Sequence, residues 1–297
     1  MIMVPSIDST NAFNHTASIR RIVSVCLLIG LIFYSFLAES FGELLNDKAF
    51  YTYESKFYIT QSDRSEAFSK EIGLYMDMMN HEYRRRLTGF KNKLKMKFHV
   101  RIYKKKSAYH EFTGDSHSSG IFMSSKRLLC SYRRGRPKAR LLGILRHEGF
   151  HQFMYTHIAR ISPPWINEGF AEHFEYAVQE KNGFNLNIVP RDHVMTLKKA
   201  MKNNSLIPLS ELLIMGTDEW NYNLGNRSLS LLQYAQSWSV VHFLLYGSNG
   251  NNKSYLDKYL RAISQGKTCN EAFEHAFGRK FDTLNQDWIL YVKELIN

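Results

Sequence analysis

Residues 147–172 constrain this 297-residue chain more than any other stretch. His147 and His151 stand four apart in H-E-G-F-H, and Leu141, Leu142, Ile144, Leu145, Phe150, Phe153 and Met154 around them recur at helical spacing. On a helix that spacing stacks the two imidazoles on one face with Cβ atoms about 5–6 Å apart. Two nitrogens so placed can bind one tetrahedral Zn²⁺ at about 2.0–2.1 Å. Glu148 sits beside them, able to reach water at the metal without being a ligand. A catalytic zinc takes a third protein ligand and leaves its fourth position to water. Glu168, seventeen residues beyond His151 and near the start of the next predicted helix, supplies that ligand if the two helices fold back on one another. Pro163 and Pro164 supply the corner, since proline is tolerated in a first helical turn.

The rest of the chain reads as scaffold. A hydrophobic content of 44% is enough to bury a full core. The first apolar run is different in kind: Ile22 to Ala38 carry no charge and follow Arg20 and Arg21 directly, which predicts an export signal. It is either cleaved, at Ala38-Glu39-Ser40, or kept as a membrane anchor through residues 22–38. Both outcomes place the remainder outside the cytoplasm, in the periplasm or beyond. The chain then divides into the export segment (1–40), a strand-containing part (50–138) and a mainly helical part (139–297).

In the strand-containing part, Glu54 to Thr60 predict a short strand, and Phe68, Ile72, Tyr75, Met76, Met79 and Tyr83 a helix ended by Arg84 to Arg86. From Lys93 to Tyr103 the sequence alternates. Leu94, Met96, Phe98, Val100 and Ile102 face one way, and Lys93, Lys95, Lys97, His99 and Arg101 the other. That pattern predicts a half-buried strand with a solvated basic face, a plainer reading than a nucleic-acid surface despite a formal charge of +12. Ser118 to Tyr132 hold two apolar runs around Ser124-Ser125-Lys126 and predict a hairpin. After the RRGRP loop the pattern is helical to the end, with helices over 165–178, 192–202, 210–215, 228–246, 255–264, 270–277 and 281–295. The fold class is α+β. Cys26, Cys130 and Cys269 match no metal-binding spacing; Cys130 and Cys269 are either a disulfide or two free thiols.

The second piece reads Trp165-Ile166-Asn167-Glu168-Gly169-Phe170-Ala171-Glu172-His173-Phe174. With the H-E-x-x-H before it, this resembles the gluzincin zinc metallopeptidases, the thermolysin-like and aminopeptidase-N-like group, over roughly Phe57 to Leu295. The segments YAQSWSVVHFLL and AFGRKFDTLNQDW look like a bacterial branch of that superfamily. The resemblance implies a zincin-like fold in which His147, His151 and Glu168 bind zinc and Glu148 polarises water. Glu172, one turn past Glu168, takes the place of an acidic residue behind the first ligand histidine, where a carboxylate accepting the second imidazole N–H fixes its tautomer. The hairpin provides an edge strand for an extended substrate. The G-x-M-E-N sequence with which aminopeptidases hold a free amino terminus is absent, because Gly120 to Ser124 lack its carboxylate.

The implied activity is zinc-dependent hydrolysis of peptide or protein substrates by an endopeptidase. Related enzymes stabilise the oxyanion with a Tyr or His from a later helix or loop. Tyr234 is the leading choice by its order in the chain, although it shares a face with Trp238, Val241 and Leu245 and reads equally as core. Tyr222 and His193 come next, and His242 reads as a packed helix residue. The rival reading is a binding module without catalysis that keeps zinc for structure and holds an anionic membrane or cell-wall partner on its basic face.

Overall fold

The computed structural model describes residues 48–90, 96–133, 137–181 and 183–297, so the expected export segment lies outside the described residues. Residues Phe50–Asn297 form one compact unit. It is α+β, 63% helical, with a small mixed sheet in its N-terminal part. Among the described residues no helix is long and apolar enough to cross a membrane.

The unit opens with β1 (Tyr51–Glu54) and β2 (Tyr58–Ser62), an antiparallel pair where the sequence predicted a single strand. Asp77 fixes the turn between them: its carboxylate accepts from Phe57 N–H at 2.8 Å, Lys56 N–H at 2.9 Å and Ser55 Oγ at 3.0 Å. Asp77 belongs to α1 (Glu66–Arg86), capped by the Ser65 side chain, which accepts from Phe68 N–H. Ile72, Met76, Met79 and Tyr83 are fully buried, as their spacing predicts, and Arg84 to Arg86 stand at the negative end of the helix dipole.

The sheet runs β1-β2-β3-β5-β4, with β3 (Phe98–Tyr103) parallel to both β2 and β5 (Leu128–Tyr132). This corrects the solvated basic face. A strand at the centre of a sheet covered on both faces buries both sets of side chains, and every residue of β3 is buried. Phe98, Val100 and Ile102 enter the main core. On the other face Arg101 donates twice to Gln61 Oε1, at 2.8 and 3.1 Å, and lies over the rings of Phe50 and Phe112. Phe112 comes from α2 (Lys106–Thr113), a helix that the sequence pattern did not reveal. Met96, expected in the core, is exposed.

The predicted hairpin is β4 (Gly120–Met123) antiparallel to β5, with β4 at the sheet edge. The helix α3 (Lys138–His157) lies against it closely enough that a Cβ on Gly120 would stand 2.3 Å from Ile144 Cγ2. Next come α4 (Pro164–Glu175) and a ribbon of β6 (Val178–Glu180) and β7 (Gly183–Asn185), so the predicted helix ends before Val178. The predicted later helices appear as α5 (Arg191–Lys202), α6 (Leu209–Ile214), α8 (Arg227–Tyr246), α9 (Lys253–Ser264), α10 (Cys269–Ala276) and α11 (Phe281–Ile296). An unpredicted α7 (Thr217–Asn223) precedes α8. Helix α8 approaches α4 at Gly169, where a Cβ would meet the Ser237 carbonyl oxygen at 2.5 Å. Cys130 and Cys269 are free thiols, so the disulfide alternative fails, and burial pushes the Cys130 thiol up to about 12.

Two buried histidines give this fold an acid-sensitive core. Burial, then the Arg84 charge, pulls His157 down to about 4, and burial alone pulls His242 down to about 4. Both are neutral when folded and bind protons more readily when unfolded, where the ordinary value is about 6.5. The stability these two residues contribute is therefore intact above about pH 6.5 and falls as pH drops toward about 4, by about 1–2 kcal/mol for each at pH 5. Urea unfolding at pH 7 and pH 5 should show this loss, reduced in His242→Asn. Equal acid sensitivity in wild type and that variant would contradict it.

Candidate metal centre

Helix α3 presents His147, Glu148 and His151, and α4 presents Glu168 back toward them. The residues 158–163 make the corner: Ile158 and Ala159 N–H both donate to the Met154 carbonyl at 3.0 Å, and Pro163 and Pro164 start α4. Arg146 locks the two helices together. Its Nε donates to the carbonyls of Phe174 at 2.9 Å and Glu175 at 3.1 Å, and its Nη1 to Tyr75 Oη at 2.6 Å. A cation on the last carbonyls of α4 also suits the helix dipole. Gly149 faces α1, and a Cβ there would stand 2.7 Å from Met76 Cε.

The result is a convergent donor set. Glu168 Oε2 lies 3.4 Å from His147 Nε2 and 3.5 Å from His151 Nε2, and the three ligand atoms all lie within 4.8 Å of one another. Donors about 2.0–2.1 Å from a tetrahedral ion are separated by about 3.3–3.4 Å. Two imidazole nitrogens and a carboxylate oxygen are ligands that zinc accepts. Glu168 Oε2 is buried without a hydrogen-bond partner among the described residues, a costly state for a carboxylate that a cation relieves. The residues therefore fit a zinc ion.

The other nitrogen of each histidine faces a polar group, through a hydrogen bond for His151 and through ion-pair contacts alone for His147. His151 Nδ1 is 2.9 Å from Asn167 Oδ1. His147 Nδ1 lies 3.0 Å from Glu175 Oε2 and 3.6 Å from Glu172 Oε1. Glu172, the residue expected there, is thus the more distant of the two carboxylates, and its other oxygen, Oε2, lies 2.9 Å from His193 Nε2. Sequence reading missed Asn167 and Glu175. Glu175 could have been found from its position seven residues, or two turns, past Glu168 on the same helix face.

Electrostatics ties the set together. Burial disfavours the charged imidazole of His147, but Glu168, Glu175 and Glu172 outweigh it and hold the group well above its ordinary value. Burial likewise opposes charge on His151, and Glu168 raises it. Burial would also raise Glu168, yet the two histidines hold its carboxyl far below the usual range. Glu148 behaves differently: burial is the largest influence and raises its carboxyl. Its Oε2 accepts the Phe122 N–H of edge strand β4 at 2.9 Å.

His147, Glu148, His151 and Glu168 line a cleft of about 360 Å³. Tyr234, from α8, lines it too. The negative charge of Glu168, then burial, raises the Tyr234 phenol well above its ordinary value, so it stays a donor. Tyr222 is exposed and does not line the cleft, and His193 lies behind it on Glu172. His242 is buried against Trp238, Tyr246 and Tyr291, as expected of a packed residue.

Because a carboxylate on the distal nitrogen orients a ligand histidine and raises its basicity, Glu175→Ala should weaken zinc binding by about 10–100-fold. Competition with a chromophoric chelator measures this. Unchanged affinity in Glu175→Ala, together with a large loss in Glu172→Ala, would return the role to Glu172.

A family profile described as a protein of unknown function (DUF1570) matches residues 142–267, less than half of the chain. The matched span includes the donor set, Glu148 and Tyr234. No curated protein matches this chain.

Proposed function

We propose that this chain is a zinc-dependent peptide hydrolase, an exported endopeptidase of zincin-like fold related to the gluzincins. The observation that carries the reading is the convergence of His147 Nε2, His151 Nε2 and Glu168 Oε2 in one open cleft that also holds Glu148. Zinc held by these three residues supplies Lewis acidity, making water a better nucleophile near neutral pH and polarising a carbonyl. Glu148 accepts the proton of the attacking water and returns it to the leaving amine, and its raised carboxyl brings acid and base forms closer in energy. The Tyr234 hydroxyl donates to the oxygen on which negative charge develops. Among the described residues strand β4 has a neighbouring strand on one side only, and its Ile121 and Phe122 line the cleft. An extended peptide can add there as a further strand, its backbone placed across Glu148. The uncharged run at 22–38, behind Arg20 and Arg21, supports export, either as a cleaved signal or as an anchor.

Metal content and cleavage of a mixed peptide library, read together, test this proposal. Wild type should bind one zinc per chain and cut internal bonds. Glu148→Gln should keep the zinc and lose about 10²–10⁴ in rate. A zinc-loaded wild type that cuts nothing, or a Glu148→Gln variant that cuts equally well, would refute it. In Tyr234→Phe, kcat should fall about 10²–10³-fold with KM little changed, as expected for a donor used mainly in the transition state. An unaltered kcat would reduce Tyr234 to a packing residue.

A further inference from the structure

The hydrolytic reading leaves one charged group of the cleft unused. Arg160 lies in the corner between α3 and α4 and lines the same cleft as His147, Glu148 and Glu168. It is the only Arg or Lys among the described residues of that lining. Among the described residues it has no hydrogen bond, ion pair or ring contact, and its side chain is exposed. Arg146, beside the donor set, is by contrast committed to structure, clamping the end of α4. The cleft carboxylates are committed as well, Glu168 to the two histidines and Glu148 to the Phe122 N–H.

The backbone that carries Arg160 is held at both ends. Ile158 and Ala159 are tied to Met154, and Asn167 N–H donates to the Pro163 carbonyl at 3.2 Å. A guanidinium on such a corner offers a planar fork matched to a carboxylate, at little ordering cost to the main chain. The chain's formal charge of +12 also favours the approach of acidic partners.

We propose that Arg160 recognises a carboxylate on the substrate and makes the site selective for acidic peptides. The proposal rests on the hydrolytic reading above. For an internal bond the carboxylate is an Asp or Glu side chain near the cut; the peptide's own C-terminus presents the same group to the guanidinium only where the cut lies within a few residues of it.

Matched peptides test it with the full zinc-loaded protein: Glu or Gln at each position within three residues of the cut bond, each with a free or an amidated C-terminus. For wild type, kcat/KM should favour one acidic member of a pair by about tenfold, chiefly through KM. Loss of selectivity on amidation identifies the C-terminus, and loss on Glu-to-Gln exchange identifies the side chain. In Arg160→Gln the acidic-to-neutral ratio should approach 1, and in Arg160→Glu it should invert toward Lys-bearing peptides. Selectivity should also weaken as salt rises.

A wild type that cuts acidic and neutral members equally, or an Arg160→Gln variant that keeps the wild-type ratio, overturns the proposal and leaves peptide hydrolysis standing. Fluorescence anisotropy of the same labelled peptides on zinc-loaded Glu148→Gln separates the two readings. Acid-selective binding that disappears in Arg160→Gln supports the contact even if wild type cuts nothing, whereas binding without acid selectivity overturns it.

Discussion

Holding two half-buried imidazoles 3.4 and 3.5 Å from one carboxylate oxygen is the constraint on which this structure turns. Such groups lose hydration, and the loss must be offset by shared protons or a cation. Shared protons are favoured there, since the carboxylate raises both histidines and they depress Glu168. They leave Glu168 Oε2 without a geometrically adequate hydrogen bond. A divalent ion placed among the three satisfies all of them, and its binding must release those protons.

Holding that set together needs helices that cannot slide, and the chain secures them by close backbone approach. Gly120 lets α3 lie on the edge strand, Gly149 lets α1 close over α3, and Gly169 brings α4 against α8. Each glycine occupies a place where a Cβ would come within 2.3–2.7 Å of a neighbouring atom. Arg146 then fastens the C-terminus of α4 to α3, one residue before His147. The α8 helix packed on Gly169 is also the one that carries Tyr234 to the cleft. The same contacts thus set both the donor set and the hydroxyl across from it.

Legibility in the sequence followed how local each determinant was. The helices of His147 and Glu168 were readable because the i, i+4 pair, the apolar spacing and the Pro163-Pro164 corner are all local signals. The solvated face expected for Phe98 to Tyr103 failed because alternation does not reveal that a strand is central. Arg101 and His99 are buried beside β2 and β5, strands distant in sequence, and Arg101 also lies over Phe112 of α2. The β6–β7 ribbon was missed because Val178 continues the helical apolar pattern, and α2 and α7 because each buries a single residue, Tyr109 or Trp220, too few to show a helical spacing. Glu172 was expected behind His147 from the resemblance and from its place one turn past Glu168. That spacing could not show that His193, from another helix, occupies it.

The central claim is that His147, His151 and Glu168 hold a zinc ion. X-ray absorption at the zinc edge of the loaded protein tests it most directly. The account predicts a shell of four or five nitrogen and oxygen neighbours at about 2.0–2.1 Å with the outer scattering of two imidazoles, lost in Glu168→Ala. A shell of oxygen alone without imidazole scattering, or an unchanged spectrum in Glu168→Ala, would contradict it.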